Sequence, residues 1–475
     1  MSSFFKSPGK PVNGTLSSTR GSRPKLLYIM TSIAEFDNGK RHTKKGNDRF
    51  TNTLIPVLRE SATSMYQSGF DVDVYLICHY PVSTERYRQV LAALPSHESG
   101  NANTVEVSLT VWDEATPIGY AVEHSTRSIM NVTRGLARQH RYVIKDKLLH
   151  YDMFVAYEDD MVVHGAQVQQ YRNVSDALYR LRQAAPSRLD NTYTIAEMNR
   201  QFHGPMTATQ LSRMIPGWIR VEVALDGWKP KRTLELPIPR DFRWNETGEE
   251  VSLDPSICCQ IGVTSSNAHM PSAPHIEDLY FWETTIDALH LRKMPEIPFS
   301  QLDWVVLQAG NTEDWYEDTK FIVGRYWSGT DGYFGHQQDP PDSTLSHYIN
   351  NQGGWMATRR QLHEWHSRWC LGGFLPPYDP PKFHFDGLDS RSVEYWSGGI
   401  QIVGVKACNL QRIIPLQPQI FARHLLYHAS NNKQRQRTVQ ARSAFTKIQD
   451  LWGQLNTVRK NAEQAIRKER DEFGQ

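Results

Sequence analysis

From Lys25 onward, short apolar runs alternate with longer amphipathic ones, and this alternation restricts the fold more than any other feature of the chain. KLLYIMTSI (25–33) reads as a strand, NDRFTNTLIPVLRESATSMYQSG (47–69) as a helix closed by Gly69, and DVDVYLICHY (71–80) as a second strand. The pattern repeats: STERYRQVLAAL (83–94) is helical, TVEVSLTVW (104–112) a strand, STRSIMNVTRGLARQHRYVIKD (125–146) a helix and YDMFVAYEDDMVV (151–163) a strand with a polar interruption. Strands that alternate with helices pack as a mostly parallel sheet flanked by helices, so the expected class is α/β. Ligands of such sheets gather at the carboxyl ends of the strands.

The rhythm divides the chain. Residues 1–24, rich in Ser, Gly, Pro and Lys, read as a flexible tail, and 25–183 as the first α/β half. Residues 184–300 lose the alternation and are expected to be an irregular α+β insertion or second lobe. Residues 301–433 regain it and complete the domain. Residues 434–475 place Phe445, Ile448, Trp452, Leu455, Ala462 and Ile466 at helical spacing, which predicts a C-terminal helix with one apolar face.

At 475 residues the chain has room for two or three domains of about 150 residues each. Its 53 basic and 51 acidic side chains leave a formal charge of +2, which argues against nucleic acid as a partner. The five cysteines are scattered without zinc spacing. No apolar run approaches the roughly 18 residues that cross a bilayer, so membrane association is expected only through a segment outside this sequence. Asn-x-Ser/Thr sequons begin at Asn13, Asn131, Asn173 and Asn245 and allow a secretory history.

Glu158-Asp159-Asp160 interrupts the apolar run of the last strand, with Phe154, Val155 and Ala156 before it and Met161, Val162 and Val163 after. Alternation along a strand would put Glu158 and Asp160 on one side and Asp159 on the other. Carboxylates converging beside apolar residues need a cation or donors to remain ionised. Oxygen ligands favour Mg²⁺ or Mn²⁺, and a divalent ion is the expected answer. The plainer alternative is a solvated acidic turn.

The triplet at a strand end resembles the acidic "DxD" motif of glycosyltransferases of the A-type fold, a nucleotide-diphospho-sugar transferase-like architecture. The resemblance implies that Asp160, then Glu158, hold Mn²⁺ or Mg²⁺ against the donor diphosphate, and that Asp159 meets the donor's ribose or sugar. Three later segments follow the family's order. NNQGGWMATRRQL (350–362) resembles its Gly-Gly loop, with Gly353 and Gly354 beside the donor. HFDGLDSRSVEYWSGGIQIVG (384–404) resembles the place of the general base in inverting members. Glu394 is the first choice there because Val393, Tyr395 and Trp396 adjoin it; Asp389 follows, then Asp386. In FARHLLYHASNNK (421–433), His424 and His428 are four apart, which predicts one shared helix face, and the resemblance implies that one of them completes the metal shell. The loop after the first strand, with Thr31, Ser32, Ile33 and Glu35, is expected to hold the nucleotide, joined by Arg134, Arg138 or Lys145 from the helix before the acidic strand.

The expected activity is therefore transfer of a sugar from a nucleotide sugar, UDP- or GDP-linked, to a hydroxyl of a glycan, glycoprotein or glycolipid, with inversion. The resemblance implies a Golgi or secretory-lumen setting, and the cytoplasm if no anchor exists. Two alternatives compete: a metal-dependent nucleotidyltransferase or phosphoesterase, against which NGKRHTKKGNDR (38–49) forms no Walker sequence, and a non-catalytic sugar-binding or scaffold protein of the same fold. Glycoside hydrolysis fits less well, since its carboxylate pair needs no metal.

Overall fold

The computed structural model describes residues 23–34, 48–98, 104–115, 136, 139–185, 208–212, 214–223, 279–281, 288–292, 304–307, 354–365, 410–415, 418–429 and 446–447, with single positions near the C-terminus. In chain order the first half runs β1 (Lys25–Ser32), α1 (Ile55–Gln67), β2 (Asp71–Cys78), α2 (Thr84–Ala93), β3 (Ser96–Glu98), β4 (Thr104–Glu106) and β5 (Ser108–Trp112). It continues with α3 (His140–Lys147), β6 (Met153–Glu158), β7 (Met161–Val162) and α4 (Gly165–Ala184). Next come α5 (Ala208–Ser212), β8 (Met214–Pro216), β9 (Ile219–Val223), β10 (Leu279–Phe281), β11 (Ala288–Arg292) and β12 (Trp304–Leu307). The later elements are β13 (Gly354–Thr358), α6 (Arg359–Glu364), β14 (Gln411–Pro415), α7 (Pro418–Phe421), β15 (Leu425–His428) and β16 (Thr446–Lys447).

Five strands form the central sheet in the order β13-β6-β1-β2-β5. β1 pairs parallel with β2 and β6, β2 pairs parallel with β5, and β13 closes one edge antiparallel to β6. This is the mostly parallel α/β sheet expected from the alternation. β1 and β6 are buried on both faces, as apolar runs without polar alternation require, whereas β2 alternates buried and half-buried residues and the edge strand β5 is partly exposed. Leu26, Tyr28, Met30, Val155 and Tyr157 pack on one side with α1 and Val168 and Tyr171 of α4. Leu27, Ile29, Phe154 and Ala156 pack on the other with Val143 and Ile144 of α3 and with Trp355, which is therefore a core residue.

Local chemistry fixes the helix ends. Ser83 Oγ accepts from Arg86 N at 3.2 Å and starts α2. Thr358 Oγ1 accepts from Gln361 N at 3.2 Å, while Gln361 Oε1 accepts from Thr358 N at 2.9 Å, a capping box that turns the edge strand into α6. Gly69, at φ +93°, ends the α1 turn in a conformation that side chains other than glycine's resist.

Three expectations change. TVEVSLTVW is not one strand: β4 hairpins with β3, and β5 joins β2, with buried Val107 at the break. His424 and His428 do not share a helix face, because a 3-10 turn at Ala422–His424 leads directly into β15. Thr446 and Lys447 form a two-residue strand against β10 inside the segment expected to begin the C-terminal helix; residues 464, 467–468 and 471–472 are helical.

The second sheet runs β16-β10-β9-β15-β7 and the third β11-β12-β14-β8. Strands from residues 184–300 thus lie beside strands from later in the chain: β8 is parallel to β14, and β9 to β15. Among the described residues no helix is long and apolar enough to cross a membrane.

Candidate functional site

The chain lays down β1, β2 and β5 in one direction across the sheet and then crosses to β6 on the other side of β1. Strand order reverses between β1 and β6, and the carboxyl ends at such a reversal are where sheets of this class bind ligands. The helices that follow the two strands, α1 and α4, pack on one face of the sheet and against each other. Thr31 lies opposite Glu158 in the register, and Thr31 O accepts from Asp159 N at 3.0 Å. The polar residues singled out in the sequence as Thr31, Ser32, Glu158, Asp159 and Asp160 therefore meet at those strand ends.

Their side chains are not arranged as strand alternation predicts. β6 ends at Glu158, which is half-buried, and Asp159 and Asp160 form a turn before β7. The converging pair is therefore Asp159 and Asp160, each 1% exposed, rather than Glu158 and Asp160. Between them lies Arg49. Its Nη2 donates to Asp159 Oδ1 and to Asp160 Oδ2, both at 2.8 Å. Burial opposes the charge on Arg49, and the two aspartates overcome that and raise its pKa above the ordinary value.

The other carboxylate oxygens and their neighbours extend this network. Ser32 Oγ donates to Asp159 Oδ2 at 2.6 Å. Ala34 N donates to the same Ser32 oxygen at 3.1 Å, and Tyr80 Oη lies 3.0 Å from it. Since the single Ser32 proton is committed to Asp159, Tyr80 is the donor to Ser32. Burial holds the Tyr80 hydroxyl well above its usual pKa, with Cys78 and Asp159 acting in the same direction against the Ser32 hydrogen bond.

β15 delivers the last member. It runs antiparallel to β7 with His428 opposite Met161, and Ala429 N donates to Asp160 O at 2.7 Å. His428 Nε2 is then 3.1 Å from Asp160 Oδ2. His424 goes elsewhere: it stacks on Trp218 with centroids 5.0 Å apart, and its Nδ1 lies 2.7 Å from Gly217 O. Burial, with Arg423 adding and the Gly217 contact opposing, lowers its pKa to about 4. Of the two histidines only His428 touches the acidic turn.

Arg49 is fixed from behind. The carboxylate of its neighbour Asp48 is forked by Arg86, Nη1 to Oδ2 and Nη2 to Oδ1, each at 3.0 Å. Thr51 N and Oγ1 donate to the same carboxylate at 3.1 and 2.6 Å. Burial acts to raise the Asp48 pKa, but these bonds outweigh it and lower the pKa. Asp48 is thus held on the outer side while Arg49 turns inward.

Gly354 begins the edge strand opposite Tyr157, one residue before Glu158. A Cβ there would meet Ala156 O at 2.0 Å, so glycine is needed for the two backbones to pair. The close approach is to the neighbouring strand. Glu35, Arg134, Arg138, Gly353, Asp386, Asp389 and Glu394 lie outside the described residues, and Lys145 is on α3.

Among the described residues, no three His, Cys, Asp or Glu side chains gather as a metal cage. The oxygens that would face an ion, Asp159 Oδ1 and Asp160 Oδ2, are bridged by Arg49 Nη2. As arranged, they do not fit a resident Mn²⁺ or Mg²⁺. Sequence reasoning asked for a cation and missed that an arginine supplies it. The signal was the basic stretch ending in Arg49 at the start of a predicted helix, but nothing in it singles out which base turns inward.

Set against known proteins, the chain matches no protein-family model and no curated protein.

Proposed function

We propose that the protein is a glycosyltransferase that moves a sugar from a nucleotide-sugar donor to an acceptor hydroxyl. One observation carries this reading: the buried acidic turn and the Thr31-Ser32 strand end meet at the reversal of strand order, the place where sheets of this class bind their ligands. In this reading Thr31 and Ser32 are the residues that hold the nucleotide. Asp159 is held by Ser32 and Arg49 in one orientation, as a group that positions a ligand must be. In the transfer the bond from the sugar to the diphosphate breaks and a bond to the acceptor oxygen forms, while the acceptor proton passes to a carboxylate of the 386–394 stretch, Glu394 first.

A second reading rests on a specific observation too. Arg49, Ser32 and His428 already occupy the acidic turn from within the chain, which suits a non-catalytic protein that retains the fold.

One experiment separates the two. Thermal unfolding is followed with UDP, GDP, CMP and ADP, and release of nucleoside diphosphate is followed from UDP- and GDP-sugars mixed with glycan acceptors. Glycosyl transfer predicts a higher Tm with one nucleotide, by mass action on the native state, and release that needs the acceptor. It also predicts that Glu394→Gln keeps the Tm shift and loses release. A nucleotide shift without release under any donor favours the non-catalytic reading, and no shift with any nucleotide sinks the proposal.

A further inference from the structure

We propose that Arg49 is the resident cation of the acidic turn: it occupies the position a divalent ion would take between Asp159 and Asp160, and the native protein holds no Mn²⁺ or Mg²⁺ there. The geometry is that of a bridge. One nitrogen, Nη2, lies 2.8 Å from an oxygen of each carboxylate, and the three side chains are 5%, 2% and 1% exposed. An ion bound at about 2.1 Å from both of those oxygens would fall in the space Nη2 fills, beside a like charge. The backbone that carries the guanidinium is held in place. Its backbone neighbour Asp48 is gripped by Arg86 and Thr51, and Arg86 in turn lies over the Phe50 ring at 4.6 Å.

Charge supports the same assignment. Two aspartates and one guanidinium leave a single net negative charge, and His428, 3.1 Å from Asp160, adds a donor to the same oxygen that Arg49 bridges. The bridge thus offsets half of the buried carboxylate charge without a metal. Arg49→Met removes the bridge and its charge while keeping an unbranched apolar stem. Two buried carboxylates then face a vacated space, and their oxygens together with water suit Mn²⁺. The proposal concerns the cation alone and stands whether or not the protein takes a nucleotide sugar.

The test is a titration of the full-length protein with Mn²⁺, read by the loss of the free-ion electron paramagnetic resonance signal and by Tm. Wild type is expected to leave the signal unchanged at equimolar Mn²⁺ and to unfold at the same temperature with and without it. Arg49→Met is expected to take up one equivalent and to regain part of its lost Tm with the ion, and adding Asp160→Asn to abolish both effects. Arg49→Lys, which keeps the charge, is expected to bind no Mn²⁺. Uptake by wild type that disappears in Asp160→Asn would overturn the proposal. So would a folded Arg49→Met that ignores the ion. If Arg49→Met does not fold, the wild-type and Arg49→Lys titrations decide alone.

Discussion

His428 Nε2 lies 3.1 Å from Asp160 Oδ2, although 268 residues separate them in the chain. The contact exists because β15 pairs with the short β7 immediately after the acidic turn, so a two-residue ladder ties this later strand to the acidic turn. Replacing His428 with Ala leaves a buried carboxylate with one donor fewer. A loss of roughly 1.5–3 kcal/mol is expected, measured by urea unfolding, and His428→Gln should restore part of it. No loss in His428→Ala would show that the contact carries no energy.

Arg49→Met should be far more damaging than its exposed counterparts. Removing one member of a buried ion pair leaves uncompensated charge, and about 3–5 kcal/mol of stability should go. Exchanging Asp159 and Asp160 for Asn in the Arg49→Met background should recover a large part, because the orphaned negative charges disappear. Denaturant unfolding of the single and triple variants checks this. A triple variant no more stable than the single one would contradict it.

His424 predicts a pH dependence. Its folded pKa, about 4, lies below the ordinary value of 6.5 because burial disfavours the imidazolium. Between those values the unfolded chain binds the proton that the folded chain refuses, so stability rises with pH there and falls as acid is added. The contribution is fully present above pH 6.5, is lost progressively toward pH 4, and amounts to about 3 kcal/mol at most. Stability curves of His424→Gln and wild type should differ in slope across that window and run parallel above it.

Two glycines should resist even a methyl group. In Gly354→Ala the new Cβ meets Ala156 O at 2.0 Å and the Tyr157 backbone at 2.6 Å; in Gly165→Ala it meets Ser64 O at 2.3 Å. Each contact involves backbone, so a strand or a helix must shift, at about 1–3 kcal/mol. Gly354→Ala should part β13 from β6, and Gly165→Ala should part α4 from α1. Protection from hydrogen exchange of the Trp355 and Ala357 amides, which the register aims at β6, should drop in the first variant and stay unchanged in the second.

The helix and strand periodicities of residues 25–94 and 151–163 determined most of the first half by themselves, because apolar spacing and end caps such as Ser83 and Gly69 are local properties. The same locality made Thr31, Ser32 and the acidic triplet recognisable as a strand-end cluster. Only the tertiary structure decided what the triplet does with its charge. A strand stops where its partner's hydrogen bonds stop, so the turn after Glu158 sends Asp159 and Asp160 inward together instead of to opposite sides. Their counter-ion comes from 110 residues away and their histidine from 268. No pattern in a one-dimensional sequence encodes such a meeting. It follows from the reversal of strand order at β1 and from the pairing of β7 with β15, which bring Arg49, Asp160 and His428 to one buried point.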